Sequence, residues 1–427
     1  MSAVTTAVSE LSHIAPAGTR VDARGRLTLG GCDAVELARQ FGTPAYIVVE
    51  QDIRERARAF QEGLAARHGD ADVLFASKAF PCTAVYRLLA EEGLACDVAS
   101  GGELALALAG GFDPARIYLH GNAKSASELA QAIDAGVGHV VLDSASEIER
   151  LSVIAAERGV VQDVLIRVTP DVAGETHAAI STGQADSKFG FSLQGARAAI
   201  ERLGATPSLR LVGLHAHIGS QLFSVEPFRE AVRALAGLGP FPVYNLGGGL
   251  AAAYVAADEP PSIDSYLATL TDAVHRYLGS DVRLLLEPGR ALVANAGVTL
   301  YTVESIKRNV STWVAVDGGM SDNLRPMLYG AGYEALVADR AAATADVRCH
   351  LAGKHCESGD VIIRDALLAD PAVGDTIAVL GTGAYGHAMA SNYNGALRPP
   401  IIFCDAGRAR VVVRRETYSD LMSRDVS

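Results

Sequence analysis

The sequence predicts an α/β protein that combines a closed (β/α)8 barrel of the TIM type with a second, mostly antiparallel β domain. Between about residues 70 and 290, short apolar runs rich in β-forming residues alternate with alanine-rich amphipathic stretches. Most of these runs end in a polar residue or a glycine. After Arg290 the alternation gives way to strand-like segments separated by turn residues. An open, doubly wound sheet is the alternative that this pattern leaves.

Eight runs are the predicted barrel strands: VLFASKAF, ACDVAS, RIYLHG, HVVLDS, VLIRV, LVGLHAHIGS, VYNLGGG and LLLEPGR. Barrel enzymes keep their chemistry at the carboxyl ends of the strands. The strand ends with a polar residue or a glycine are therefore the first candidates for an active site: Lys78, Asp97, His120, Asp143, His217, Gly247 and Glu287.

The domain division follows from the same pattern. We assign residues 44–290 to the barrel, and residues 1–43 and 291–427 to the β domain. The β domain is predicted from the segments VTLYTVESI, TWVAVDGG, DTIAVLG and RARVVVRRE, with LTLGG near the start of the chain.

Composition limits the class of protein. The chain has 427 residues, 49% of them apolar, which is enough for two domains with sizeable cores. A formal charge of −12 argues against nonspecific binding to nucleic acid or anionic membranes. The six cysteines show no C-x-x-C spacing, which argues against a disulfide framework or a metal site. With no leader-like start and no long apolar run, we predict a cytoplasmic protein.

Two local patterns favour a phosphate-bearing cofactor held by a lysine. Lys78 lies in an apolar run, where burial would keep its amine neutral and nucleophilic, as in a Schiff-base lysine. The alternative is a lysine that reaches water from a strand end. Gly247–Gly249 would let backbone N–H groups approach a phosphate, although a plain turn is also possible. Gly219 and Ser220 could add a second phosphate contact.

The EPGR segment and the HAHIGS segment add candidates. Glu287, if buried, needs a cationic partner, and a protonated pyridine nitrogen would serve. Arg290 could bind a substrate carboxylate. Alternatively, Glu287 and Arg290 could form an ion pair that caps a turn. Only one of His215 and His217 is expected to face the barrel interior. There it would stack on a cofactor ring, or it would be a core histidine held by a hydrogen bond. No third ligand is evident for a metal.

Three loops of the β domain combine glycine with chemically active residues. The segment 317–330 carries Arg325 and Tyr329, the segment 353–360 carries Cys356 beside Glu357, and the segment 381–395 carries Tyr385. Loops of this kind hold functional residues more often than packing residues.

Together these segments resemble the diaminopimelate decarboxylase family, part of the alanine-racemase-like (fold type III) pyridoxal-phosphate enzymes. The resemblance runs from about Gly42 to Glu416. It rests on motifs in one order: FASKA, DVASGGEL, HGNAKS, HAHIGSQ, LGGG, EPGR, DGGMSDNLRPMLY, CESGD and GAYG. The stretch THAAISTGQADSKFGF (176–191) is also similar to this family.

The resemblance implies pyridoxal 5'-phosphate (PLP) as cofactor and meso-2,6-diaminopimelate as substrate, with L-lysine and CO2 as products. It implies a catalytic role for Lys78, as the covalent link to the cofactor, and for Cys356, as a proton donor. The implied cofactor contacts are His217, Ser220, Gly247, Gly248, Gly249, Glu287, Gly289, Arg290 and Tyr385. The implied substrate contacts are Arg290, Arg325, Tyr329, Glu357 and Tyr385.

The resemblance also implies a homodimer, in which Cys356 and Glu357 enter the partner subunit's site. Two other functions remain open at this point. An ornithine or arginine decarboxylase would need an acidic distal pocket and no arginine for a distal carboxylate. A PLP-binding regulatory protein without turnover would not need the β domain or Cys356. An alanine racemase is disfavoured, because that branch places arginine where this chain has Glu287.

Overall fold

The computed structural model describes residues 7–172 and 188–426, which form two compact units. The barrel unit is Arg56–Ala251 with Pro260–Ala291. The β unit is Met1–Glu55, Ala252–Glu259 and Leu292–Ser427. Of the family-like stretch 176–191, residues 176–187 lie outside the described residues.

The strands, in chain order, are β1 (Arg20–Val21), β2 (Leu27–Leu29), β3 (Cys32–Asp33), β4 (Ala45–Val49), β5 (Ala71–Ala76), β6 (Ala95–Val98), β7 (Ile117–Leu119), β8 (His139–Leu142), β9 (Gln162–Val168), β10 (Leu209–Ala216), β11 (Val243–Asn245), β12 (Arg283–Leu286), β13 (Gly297–Arg308), β14 (Thr312–Val316), β15 (Ala335–Val337), β16 (Val347–Ala352), β17 (Val361–Leu368), β18 (Thr376–Leu380), β19 (Ile401–Asp405) and β20 (Arg408–Val413).

The α-helices are α1 (Ala7–Glu10), α2 (Ala34–Phe41), α3 (Glu50–Ala65), α4 (Thr83–Glu91), α5 (Gly101–Gly110), α6 (Ala126–Ala135), α7 (Ala145–Glu157), α8 (Leu193–Gly204), α9 (Glu226–Ala236), α10 (Ile263–Tyr277), α11 (Arg290–Val293), α12 (Arg325–Tyr329) and α13 (Tyr418–Met422).

Strands β5 to β12 form a closed parallel barrel, in which β12 pairs with β5 to complete the ring. The predicted barrel is confirmed, and the open doubly wound sheet is wrong. Each of the eight runs singled out in the sequence contributes one strand. Inside the barrel, one layer of apolar side chains from six strands packs together: Leu74, Ala95, Tyr118, Val141, Leu165 and Leu285. This filled interior leaves the strand ends as the place for chemistry.

Serine residues cap the start of several barrel helices. Ser100, Ser125 and Ser144 each accept a hydrogen bond from the backbone N–H of the third helical residue. At Ser125, Glu128 returns a bond to the cap backbone, which makes a capping box. Ser100 and Ser144 lie only two residues after a strand end, so the strand-to-helix turns at these two points are short.

The β unit contains a nine-stranded sheet, and the predicted β domain is confirmed. Its main order is β17-β16-β14-β13-β4-β19-β20, with β18 joining β13 to β15. Only β14 with β16 and β19 with β4 pair in parallel among the described strands of this sheet. The segment LTLGG forms β2 of a separate three-stranded sheet. Its side chains Leu27 and Leu29 pack in one core with Ile47 and Leu380.

The units divide the chain after Glu55, whereas the sequence suggested a boundary at residue 43. The difference comes from β4, which pairs with β13 and β19 in the nine-stranded sheet. A short buried apolar run does not reveal which sheet it joins, so β4 reads equally well as the start of the barrel. Ala252–Glu259 also belongs to the β unit. None of the helices described here is both long enough and apolar enough to cross a membrane.

Candidate active site

Lys78 lies at the rim of the barrel, in a single 3-10 turn (Ser77–Ala79) that follows β5. Its neighbours in the turn are fully buried, and Ser77 donates a hydrogen bond to Glu103 at 2.8 Å. Lys78 itself is exposed, so the prediction of a buried lysine is wrong. Strand β5 ends at Ala76, two residues before Lys78, and the amine therefore reaches the open rim.

Glu287, at the end of β12, is buried and surrounded by polar side chains from other strands. The Asn245 amide donates to Oε1 at 2.7 Å, and His120 Nε2 lies 2.8 Å from the same oxygen. His215 Nε2 lies 3.2 Å from Oε2. Burial opposes the negative charge, but interactions with His120 and His215, hydrogen bonding included, hold the pKa of Glu287 well below its usual range. Burial and the charge of Glu287 raise the pKa of nearby Asp97 well above its usual range. One ionised carboxylate is therefore fixed at this point of the rim.

His215 and His217 both face the interior of the barrel. His215 contacts Glu287, and His217 Nδ1 accepts a hydrogen bond from the Gly248 N–H at 3.2 Å. The prediction that only one of them faces inward is wrong. His217 directly follows β10, and side chains two residues apart along extended backbone point to the same face. Burial lowers the pKa of His217 well below its usual value, so its ring is neutral at neutral pH.

The three glycines after β11 bring backbone close to backbone. Gly247 has a φ of 66°, in the left-handed region that favours glycine. A Cβ on Gly248 would lie 2.1 Å from the Glu287 carbonyl oxygen, so no side chain fits there. Beside this loop, Arg290 Nη2 donates to Ser220 Oγ at 3.0 Å. The structure thus places the predicted phosphate loop, Ser220 and Arg290 on one rim.

Gly289 connects the EPGR turn to the lysine turn. A Cβ on Gly289 would lie 2.9 Å from the Ala76 Cβ and 3.2 Å from the Ala79 Cβ, on either side of Lys78. Closure of the barrel between β12 and β5 produces this approach. Lys78 and Glu287, which lie far apart in the sequence, therefore belong to neighbouring strand ends.

The rim contains polar residues for which the sequence suggested no role. Asp97 and His120 were recognised as strand ends only, and Asn245 and Arg167 were not recognised. Arg167 is buried at the end of β9, with its guanidinium 4.3 Å from the centroid of the Phe189 ring. Their positions at strand ends were the available signal. The residue types alone do not show which strand ends converge.

His120, His215 and Glu287 also form a possible three-ligand metal cluster, with ligand atoms within 4.8 Å of one another. The third ligand that the sequence did not reveal is therefore present. However, Glu287 already accepts hydrogen bonds from two side chains, the Asn245 amide at 2.7 Å and His215 Nε2 at 3.2 Å. We therefore assign no metal ion to this cluster and treat its residues as a group around the buried carboxylate.

In the β unit, Arg325 begins α12 and is buried among tyrosines. Its guanidinium lies 4.3 Å from the centroid of the Tyr254 ring and donates a hydrogen bond to the Tyr333 hydroxyl. Tyr329 ends the same short helix, four residues on, so it shares a face with Arg325. Tyr385 has a φ of 60°, an uncommon conformation for a tyrosine. Backbone strain of this kind collects at functional sites.

The loop 353–360 presents Cys356 and Glu357 to solvent on a buried support. The support is Asp360, whose carboxylate accepts from the backbone N–H of Met320 at 2.7 Å and of His355 at 2.9 Å. His355 Nδ1 lies 2.7 Å from the same carboxylate. The Cys356 N–H donates to the Asn394 side chain at 2.9 Å. The exposed thiol is thus held on a fixed backbone.

Asp360→Asn is expected to lower the free energy of unfolding by about 2–3 kcal/mol, because an amide cannot satisfy all the donors that the buried carboxylate accepts. Thermal unfolding measures the loss. Asp365→Asn is the matched control. Asp365 is exposed, and its 3.7 Å contact with Arg348 is a surface ion pair that contributes little to stability. Equal unfolding midpoints for both variants would contradict the role given to Asp360.

The barrel rim fits PLP on the chemistry of its residues. It offers a lysine amine, a buried ionised carboxylate for a protonated pyridine nitrogen, a neutral imidazole and a side-chain-free loop for a phosphate. The fold and this rim define a barrel-type pyridoxal-phosphate enzyme. Consistently, the family model "Pyridoxal-dependent decarboxylase, pyridoxal binding domain" matches residues 50–294.

Relatives that match over nearly the whole chain identify the family more closely. The chain is 48% identical to the diaminopimelate decarboxylase of Actinosynnema pretiosum subsp. auranticum, over 96% of this chain and 95% of that protein. It is 45% identical to that of Mycobacterium tuberculosis, over 98% of this chain and 100% of that protein. Diaminopimelate decarboxylase from M. jannaschii, solved with L-lysine, superposes with a TM-score of 0.90 at 34% identity, covering 96% and 98% of the two chains. The chain belongs to the diaminopimelate decarboxylase family, and its cofactor is PLP.

Proposed function

We propose that this protein decarboxylates meso-2,6-diaminopimelate to L-lysine and CO2, the last step of lysine biosynthesis. The observation that carries the proposal is the convergence of Lys78, Glu287 and the glycine loop at one barrel rim. That rim belongs to a chain that matches diaminopimelate decarboxylases over nearly its whole length.

The rim residues would hold the cofactor at three points. Lys78 would bind it covalently through the amine, and Glu287 would hold the proton on the ring nitrogen. The phosphate would lie against Gly247–Gly249 and Ser220, with Gly289, Arg290 and Tyr385 as further cofactor contacts. His217, as a neutral ring, would pack on the pyridine. PLP supplies an electron sink for the electron pair that loss of CO2 leaves on the substrate.

Recognition of the substrate needs both signs of charge at its distal end. Diaminopimelate carries a carboxylate and an ammonium group there. Arg290 and Arg325 are suited to the carboxylates, because guanidinium groups bind them with two parallel hydrogen bonds. Glu357 suits the distal ammonium, with Tyr329 and Tyr385 beside the substrate. A decarboxylase of ornithine or arginine would have no use for an arginine at the distal carboxylate.

Cys356 is the proposed acid that returns a proton to the substrate carbon after CO2 leaves. Its thiol is exposed on the loop that Asp360 supports. We propose that this loop serves the other subunit of a homodimer, so that each active site takes Cys356 and Glu357 from the partner. A symmetric dimer would then be required for activity.

The shared-site proposal predicts complementation between two inactive variants. Lys78→Ala and Cys356→Ala are mixed under conditions that allow subunit exchange. One of the two sites in each mixed dimer regains both groups, and about half of the dimers are mixed. Activity should therefore recover to at most about one quarter of wild type. Exchange is verified with differently tagged subunits. If exchange occurs and no activity returns, Cys356 acts within its own subunit.

The compartment proposed is the cytoplasm. All six cysteines are free thiols, and five of them are buried. Free thiols are typical of a reducing compartment.

Release of CO2 from a panel of amino acids tests the function. The PLP-loaded protein is given meso-diaminopimelate, L-lysine, L-ornithine and L-arginine. The proposal expects release from diaminopimelate alone at a substantial rate. Faster release from ornithine or arginine would replace it with the alternative substrate class, and no release from any of them would favour a regulatory protein.

A further inference from the structure

The carboxylate of Glu287 is held by side chains from three other strand ends. His120 follows β7, His215 lies near the end of β10, and Asn245 ends β11. Their contacts to the two carboxylate oxygens measure 2.8, 3.2 and 2.7 Å. All four residues are buried, and the rings of His120 and His215 meet edge to face at 4.7 Å. Both carboxylate oxygens are therefore engaged from the barrel side.

The protonation states in this group are complementary. Burial lowers the pKa of His215 to about 4, and it lowers the pKa of His120 as well. Both rings are then neutral at neutral pH. His215 can direct its Nε2 N–H toward Glu287 while the carboxylate remains ionised, and His120 Nε2 lies 2.8 Å from the other carboxylate oxygen. The other charged groups that influence these rings are Arg167 and Lys124. Both are cations and disfavour a charged imidazole.

Asn245 connects the two ends of the cofactor site. Its Nδ2 donates to Glu287 Oε1, and its Oδ1 accepts from the Gly247 N–H at 3.0 Å. One buried amide therefore fixes the carboxylate relative to the glycine loop. An apolar side chain would fill this place at lower desolvation cost, so a polar residue here needs a reason other than packing.

We propose that His215, His120 and Asn245 are positioning residues that hold Glu287 as an oriented anion for the ring nitrogen of the cofactor. Asn245 also keeps that anion in register with the phosphate loop. The inference rests on the proposed function for its cofactor chemistry. The inference adds the residues that would keep Glu287 ionised and oriented toward a pyridinium. Residues behind a direct cofactor contact commonly act in this way, because their hydrogen bonds set the orientation and charge of the contacting group.

The test compares His215→Leu with His215→Gln, whose amide keeps a donor. His139→Gln is the matched control, because His139 is a barrel histidine at the opposite end of its strand, stacked on Tyr118 at 4.3 Å. The protein is loaded with PLP labelled with nitrogen-15, and the ring-nitrogen resonance is recorded without substrate. The kcat and KM for diaminopimelate are measured in parallel.

In His215→Leu the resonance is expected to move toward the unprotonated pyridine, with kcat lowered about 10–100-fold and KM changed less than about 2-fold. His215→Gln should recover most of both effects, and His139→Gln should match wild type. Asn245→Ala provides a second variant if His215→Leu does not fold. It should move the resonance in the same direction and also weaken PLP binding to the cofactor-free protein.

Two results would overturn the inference. One is an unchanged ring-nitrogen resonance in folded His215→Leu and Asn245→Ala, which would make these residues structural only. The other is a stoichiometric metal ion bound by His120 and His215, because their nitrogen lone pairs would then be occupied. The resonance needs no substrate, so it can support the inference even if the protein fails to release CO2, which would refute the proposed function alone.

Discussion

Lys78→Ala is expected to reduce CO2 release from diaminopimelate to less than about one thousandth of the wild-type rate, because no other residue is proposed to bind the cofactor covalently. The fold should survive, since the Lys78 side chain is exposed at the rim and contributes no core packing. Initial rates and thermal unfolding, measured on the same preparations, separate loss of chemistry from loss of structure.

Borohydride reduction gives an independent reading of the same prediction. In wild-type protein it should fix the cofactor on the peptide that contains Lys78, and mass spectrometry locates it. Lys307→Ala serves as control, because Lys307 is an exposed lysine on β13 of the β unit. A fully active Lys78→Ala protein, or a label on a different lysine, would remove the covalent role from Lys78.

Glu287→Gln is expected to lower kcat about 100-fold or more while the cofactor stays bound. Glutamine retains the shape and can still accept from Asn245, but it removes the negative charge that favours a protonated ring nitrogen. The electron sink is then weaker. Steady-state kinetics and the cofactor content of the purified variant are the measurements.

Glu62→Gln is the control for this substitution, since Glu62 is exposed on α3 of the barrel unit. It should leave kcat and cofactor content unchanged. If Glu287→Gln also retains its full rate, the buried carboxylate has only a structural role, and the positioning of His120 and His215 around it loses its functional meaning.

The barrel was predictable because each of its strands has a recognisable local sequence pattern. A run such as HVVLDS combines β-forming residues with a polar end, and a serine cap follows directly. Closure then determines the rest, since strand order places β12 beside β5. The catalytic candidates Lys78 and Glu287 were visible for the same reason, as polar residues at the ends of apolar runs.

The remaining features depend on three-dimensional contacts that local patterns do not contain. The short strand β4 looks like a barrel strand but pairs in the other sheet. Asn245 sits inside an ordinary strand sequence, and only its bonds to Glu287 and Gly247 reveal a role. Lys78 was expected to be buried because its run is apolar on both sides, yet the strand ends before it.

Decarboxylation of meso-diaminopimelate at the Lys78 rim can be followed through the products that form in heavy water. The PLP-loaded protein is incubated with meso-diaminopimelate, and CO2, lysine and remaining substrate are quantified by mass spectrometry. We expect equal amounts of CO2 and L-lysine, with one solvent deuterium on the carbon that lost its carboxylate. Recovery of diaminopimelate without CO2, whether unchanged or carrying deuterium at its α carbons, would show that the protein does not decarboxylate this substrate.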